Sequence, residues 1–395
     1  MAVAELSVPP LIANNTLPVD FMINGREKTE WDFIDSKSNS FNNIHPYPAK
    51  FIPEIPRKLM EIFPILEGSY ILDPFCGSGV TLLEAKKLGY NSIGVDINPI
   101  ACLISRVKVN PLPDDFVEVA ERIIKIAREE ISNALIPPIQ NLDHWFKKEI
   151  QSAIASIKNQ IDKTNDNSLA DALNYCLSAI IVKVSNQDSD TRYAAREKKI
   201  TQNDVFALFH QATQKLLKAK RNESAIISDD TESIVMKINS LSLSKQRLNK
   251  KIGAVITSPP YPNAYEYWLY HKYRMWWLGY DAVAVKKQEI GARAHYFKKN
   301  RQTVEDFILQ MNHLFEKFKD LLIDDAYIAF VIGKSKIHGE IIDNEKIIEN
   351  AGMKNGFSFV TTLVRNMNSN KKSFNLSHAR IKKEYIVVLK KEINE

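Results

Sequence analysis

Cysteine is scarce in this sequence. The three cysteines among 395 residues, Cys76, Cys102 and Cys176, are too few and too scattered for a disulfide scaffold or a zinc site. That scarcity favours a reduced, intracellular protein, and the expected location is the cytoplasm. No basic segment precedes an apolar run at the N-terminus, so no secretory signal is expected. No stretch approaches the roughly 18 uncharged apolar residues that span a bilayer, so no membrane partner is expected. Glycine (13) and proline (17) are too infrequent for a collagenous or linker-like chain. Charge of one sign is also in short supply: 53 Lys and Arg against 47 Asp and Glu leave +6. That mild excess of base suits a nucleic-acid partner and, equally, plain solubility. What is present, 45% hydrophobic and 25% charged residues, is ordinary for a globular protein.

The chain divides by pattern. Residues 1–40 are polar and without periodicity and read as an N-terminal arm. From there short β-rich runs alternate with helical patterns, the signature of an α/β fold with a mostly parallel, doubly wound sheet. Strands are predicted at 70–72, 92–95, 253–257, 326–332, 357–363 and 384–389, and helices at 80–88, 100–107, 265–278 and 304–322. Residues 114–243 interrupt the alternation with amphipathic helices of near 3.6 periodicity, longer than any βαβ crossover needs. The expected organisation is an arm (1–40), a cofactor-binding half (41–113), a helical insertion (114–243) and a target-binding half (244–395). Within the insertion, the polar stretch 185–196 reads as a loop, open either to ligand contacts or to ordinary solvation.

The first chemical motif is Asp73-Pro74-Phe75-Cys76-Gly77-Ser78-Gly79, lying between a predicted strand and a predicted helix. Gly77 and Gly79 tolerate positive φ and let a ligand approach the backbone. The following helix turns its free N–H groups toward that ligand. Asp96 closes the second strand, where an acid can accept from ribose hydroxyls. The motif departs from a dinucleotide fingerprint, because a third glycine is missing and an acid stands before the turn. Asp73 would repel a pyrophosphate but suits an ammonium group. S-adenosyl-L-methionine carries an ammonium, a sulfonium and a ribose without phosphate, so it is the expected cofactor.

The second motif is Ser258-Pro259-Pro260-Tyr261, directly after a buried strand. Its prolines end the strand and remove two backbone donors, leaving carbonyls that can only accept. The Ser258 hydroxyl and the Pro259 carbonyl can then both accept from one planar amino group, and Tyr261 offers a face for a flat heterocycle. Two such acceptors draw an amine nitrogen toward tetrahedral shape and aim its lone pair at a methyl donor.

Together these residues closely resemble the amino-group DNA methyltransferases, over roughly 41–110 and 250–390. Upstream, His45-Pro46-Tyr47-Pro48-Ala49-Lys50-Phe51 resembles the segment that precedes the glycine motif in that family. The resemblance implies a Rossmann-like methyltransferase fold with a seven-stranded sheet. It implies that Tyr47, Pro48, Lys50 and Phe51 pack over the methionine end of the cofactor, held by Asp73 and the Cys76–Gly79 turn with Pro74 and Phe75. Asp96 would bind the ribose, Ile97 would border the adenine, and Ser258, Pro259, Pro260 and Tyr261 would hold a base rotated out of double-stranded DNA. The Ser form of the second motif is associated in the family with cytosine N4 and the Asp form with adenine N6. A cytosine-N4 enzyme in a restriction-modification system, with a cognate endonuclease, is therefore expected; adenine N6 and an RNA amino group stand as alternatives.

For DNA contacts, the basic irregular segment holding Lys286, Lys287, Arg293, Lys298, Lys299 and Arg301 lies just beyond the catalytic strand. Arg365 begins a second basic stretch (365–380). Tyr265 and Tyr267 are expected to line the base pocket, and Trp276 and Trp277 to be core. Either the insertion or the 281–301 segment would read the DNA sequence. No metal site is expected, since His338 and His378 lack ligand spacing.

Overall fold

The computed structural model describes residues 31–33, 41, 44–48, 51–224, 230–262, 265–297, 301–366 and 383–393. Eleven strands are formed among these residues: β1 Tyr70–Asp73, β2 Asn91–Asp96, β3 Gln187–Ser189, β4 Arg192–Ala195, β5 Ser233–Lys237, β6 Ile252–Thr257, β7 Leu322–Gly333, β8 Ser335–Ile337, β9 Glu340–Ile342, β10 Phe357–Asn366 and β11 Lys383–Lys391. Seven build the main sheet in the order β10-β11-β7-β6-β1-β2-β5. β5, β2, β1, β6 and β7 run parallel to their neighbours, whereas β11 is antiparallel to both β7 and β10. The fold is therefore a doubly wound α/β sheet, as the alternation of patterns predicts. The chain leaves β1 toward β2 on one side and reaches β6 on the other. Ligands bind at such a switch point, beyond the carboxyl ends of the strands.

Local sequence explains the elements around that point. β1 and β6 are apolar on both faces (Tyr70-Ile71-Leu72 and Ile252 to Ile256), as strands covered by helices must be. The helix Pro99–Val109 starts at Asn98, whose side chain accepts from the Ile100 N–H at 3.0 Å, with proline at the first position. That helix underpins the glycine turn: Ser105 Oγ donates to the Gly77 carbonyl at 2.9 Å and Lys108 Nζ to the Ser78 carbonyl at 2.6 Å.

Two readings of the insertion change. β5, which the sequence pattern placed among helices, is the edge strand of the main sheet, paired in register from Ser92↔Ser233 to Asp96↔Lys237. The helical part therefore ends before β5. Stretch 185–196 is not an open loop but holds the β3–β4 hairpin. The rest of the insertion is helical, with long helices Phe116–Glu129, Lys148–Ile161, Asn167–Val184 and Gln202–Ser224. On the first of them Phe116, Val119, Ala120, Ile123 and Ala127 are buried, a stripe at helical spacing. Phe146, Leu177 and Phe209 belong to the same core, which runs on into Tyr273, Met275 and Trp277 after the second motif. The insertion is thus packed onto the catalytic half through a shared core. Trp277 is buried there and Trp276 is half-buried. The single helix predicted over 265–278 is split into Tyr267–Tyr270 and Lys272–Trp277, hinged at the buried His271.

Candidate active site

A cleft opens at the carboxyl ends of β1, β2 and β6, where open α/β sheets bind their ligands. Asp73 ends β1 and is 2% exposed. Its Oδ1 accepts from Thr257 Oγ1 at 2.6 Å and from the Phe75 N–H at 3.1 Å, and its Oδ2 accepts from Thr81 Oγ1 at 2.6 Å. Thr257 is the last residue of β6, so this carboxylate fastens the first motif to the second. Burial pushes the Asp73 pKa up to about 6, against the pull of the three donors. Asp96 ends β2; its Oδ2 accepts from the Gly77 N–H at 3.0 Å and its Oδ1 from the Asn98 N–H at 2.8 Å. Burial again raises it to about 6, with Asp73 adding to the rise.

Gly77 has φ +48°, and a Cβ there would stand 3.0 Å from the Tyr47 hydroxyl. Tyr47 therefore roofs the turn, with its ring 5.7 Å from that of Tyr267. Gly79 has φ +72° and caps the helix Val80–Lys87; a Cβ on it would lie 2.9 Å from Ser105 Cα. The first glycine thus gives the cleft its floor, and the second seats one helix on another.

Of the residues expected to hold the cofactor, Tyr47, Phe51, Asp73, Phe75, Cys76, Gly77, Ser78, Asp96 and Ile97 line the cleft. Pro48, Pro74 and Gly79 are not on its wall; the Pro74 carbonyl instead accepts from Ser240 Oγ. Lys50 lies outside the described residues. Ser258 and Pro260 line the same cleft, beside the buried Pro259 and the half-buried Tyr261, and so does Tyr267.

Eight lining residues were missed: Val80, Asn98, Asn239, Ser240, Val285, Gln288, Glu289 and Ile290. Asn239 and Ser240 follow β5, whose Ser-Ile-Val-Met-Lys run was a strand signal inside a stretch read as helical. Glu289 counted only as a charge against the surrounding base. It is 6% exposed and accepts from the Tyr267 N–H at 2.6 Å and the Trp268 N–H at 3.1 Å. Burial drives its pKa to about 8, with Asp96 and Glu266 adding to the rise. Gly291, at φ +73°, abuts the second motif so closely that a Cβ would meet the Tyr261 carbonyl oxygen at 2.7 Å.

The expected DNA contacts divide. Lys287 and Arg293 are exposed, Lys286 lies 4.4 Å over the Trp268 ring, and Arg301 Nη1 is 3.1 Å from His338 Nε2. Lys298 and Lys299 lie outside the described residues, as does nearly all of 365–380. Arg365 is turned inward, at 5% exposure. It donates to Glu384 Oε2 at 2.7 Å and to the Asp32 carbonyl at 3.4 Å, which takes its charge away from any phosphate. Among the described residues no group of three or more His, Cys, Asp or Glu could hold a metal ion. No helix there is long and apolar enough to cross a membrane.

Residues 24–106, which include the glycine turn and Asp96, match the DNA methylase family. Over 265 residues the chain is 25% identical to the Type II methyltransferase M.MvaI of Kocuria varians, covering 58% of this chain and 55% of that protein. Over 423 aligned positions it is 23% identical to the Type II methyltransferase M.MjaII of Methanocaldococcus jannaschii, covering 81% and 78%. In these segments the chain is similar to DNA methylases and to Type II methyltransferases. It spans about half the length of M.MvaI. Among solved structures, the rRNA methyltransferase aviRa of Streptomyces viridochromogenes overlays with a TM-score of 0.36 at 10% identity, covering 92% of this chain and 95% of that one.

The lining of the cleft fits S-adenosyl-L-methionine, the cofactor that the sequence predicts. The walls carry carboxylates and apolar groups, and among the described residues no lysine or arginine lines them to receive a phosphate. Asn98 is 3% exposed on the same wall, and its Nδ2 has no partner among the described residues, a donor awaiting a polar ligand.

Proposed function

We propose that the protein methylates the exocyclic amine of a base flipped out of double-stranded DNA, cytosine N4 in the first instance, as the modification partner of a cognate endonuclease. One observation carries this reading. Ser258 and Pro260 share a single cleft with Asp73, Gly77 and Asp96, which supports a methyl donor held by the first motif meeting an amine held by the second. When bound, S-adenosyl-L-methionine supplies an electrophilic methyl carbon on a sulfide leaving group. Ser258 Oγ and the Pro259 carbonyl accept the two N–H bonds of the target amine and orient its lone pair. Tyr261 stacks on the base. The surplus proton becomes acidic once nitrogen has been alkylated, so no strong side-chain base is required. The choice of cytosine follows the Ser form of the motif.

Lys286, Lys287, Arg293 and Arg301 are assigned to the phosphates around the flipped base. Sequence reading is assigned to the insertion. Its β3–β4 hairpin carries Arg192 and Arg196 with side chains 76% and 77% exposed. The hairpin is fixed by the fully buried Arg274, which pairs with Asp190 and also donates to the carbonyls of Ser178 and Tyr270. Tyr270 ends the short helix that Tyr267 begins at the cleft. Free, buried cysteines fit work in a reducing cytoplasm.

The test uses labelled cofactor with duplex DNA and, separately, tRNA, followed by digestion and mass analysis of the nucleosides. N4-methylcytosine is expected. N6-methyladenine would change the base, and label in tRNA alone would overturn DNA as substrate. Ser258→Ala and Tyr261→Ala should abolish transfer while cofactor binding persists; unchanged turnover in Ser258→Ala removes the role given to that hydroxyl.

A further inference from the structure

The acid expected to meet the cofactor's ammonium is Asp73, yet its Oδ1 takes two donors and its Oδ2 one, which leaves it fewer free lone pairs than Glu289 has. Two of the Asp73 donors are side-chain hydroxyls at 2.6 Å, at 2% exposure. Asp96 holds the Gly77 and Asn98 N–H groups. A third carboxylate, Glu289, lines the same cleft. We propose that Glu289, and not Asp73, supplies the counter-charge for the ammonium group of the methionine portion of S-adenosyl-L-methionine.

Geometry supports the assignment. Each Glu289 oxygen receives one backbone N–H, from Tyr267 and Trp268, which fixes the carboxylate and leaves each oxygen a further lone pair. Gly291 presses on the Tyr261 backbone, so the 288–291 segment is held against the second motif. No ion pair to Glu289 is formed among the described residues. Among the described residues the titratable groups that act on it include Asp96, Glu266, Tyr47 and Tyr267, which are acids and phenols. A buried carboxylate among acids and phenols is an unmet demand for positive charge. The unpartnered Asn98 Nδ2 on the same cleft is a second sign that a polar ligand completes it.

The proposal rests on the cleft taking this cofactor, and calorimetric binding tests the two separately. Wild type and Glu289→Gln are titrated with S-adenosylmethionine, with S-adenosylhomocysteine, which keeps the ammonium but lacks the sulfonium, and with methylthioadenosine, which lacks the amino-acid portion. Glu289→Gln should weaken the first two equally, by about tenfold or more, and leave methylthioadenosine unchanged. Equal loss for all three ligands, or none, would reduce Glu289 to a cap on the Tyr267–Tyr270 helix and overturn the proposal. Loss for S-adenosylmethionine alone would assign the charge to the sulfonium and overturn it too. A second measurement needs no variant. Glu289 is mostly protonated at pH 7, so binding of the ammonium should expel about one proton, read from the dependence of the heat on buffer ionisation. No proton release would overturn the proposal even if Glu289→Gln fails to fold. If wild type binds neither S-adenosylmethionine nor S-adenosylhomocysteine, the cofactor reading of the cleft fails instead.

Discussion

Thr257→Val tests the link between the two motifs. Valine keeps the shape of threonine but removes the O–H that donates to Asp73 Oδ1 at 2.6 Å, between groups 0% and 2% exposed. A buried, charge-assisted hydrogen bond of that kind is worth about 2 kcal/mol. Its loss should depend on pH in a defined direction. Asp73 has a folded pKa of about 6, above the 3.8 of an ordinary aspartate, so folding opposes its ionisation. Its contribution to stability is therefore full at low pH and declines as pH rises through the interval from about 4 to 6. Thr257 is the strongest of the donors holding that pKa down. Without it the folded pKa rises further, and the decline becomes deeper and ends at higher pH. Urea unfolding of both proteins should show the variant less stable by about 2 kcal/mol at pH 8, with the gap closing toward pH 5, where Asp73 carries its proton in both. Asp96 titrates in the same interval but is common to both proteins and cancels in the difference. A gap that is the same at pH 5 and pH 8, or no gap, would refute the claim that this hydroxyl stabilises the Asp73 carboxylate.

Other perturbations separate the parts of the site. Gly291→Ala puts a methyl 2.7 Å from the Tyr261 carbonyl oxygen at a φ of +73°, so transfer should fall by about tenfold or more, as stopped-flow turnover measures. Arg274→Met strands Asp190 and frees the β3–β4 hairpin, so duplex affinity by gel shift should drop by about tenfold while S-adenosylhomocysteine binding holds. Phe209→Ala, at a fully buried position in the insertion, should cost about 3–5 kcal/mol in urea unfolding. Because that core continues into Tyr273 and Trp277, near-ultraviolet circular dichroism of the catalytic half should change with it.

The local motifs were legible because their geometry is set within a few residues. Asp73 to Gly79 and Asn98-Pro99 specify a strand end, a left-handed turn and a capped helix by their own chemistry, and Ser258-Pro259-Pro260 ends a strand by removing donors. The parallel sheet followed from the alternation of periodicities. Other features depend on which distant segments meet, and periodicity says nothing of that. β5 is short and half-buried at the sheet edge, so its pattern was weak within a helical stretch; pairing with β2 makes it a strand and brings Asn239 and Ser240 to the cleft. Arg365 read as a free cation until the antiparallel register set it directly opposite Glu384. Sequence by itself determined the fold class and the local geometry of both motifs, because turns, caps and strand ends are short-range. Only the tertiary structure decided that Asp73 is committed to Thr257, 184 residues away, and that Glu289 faces the cleft, because burial and charge arise from neighbours the sheet order brings together.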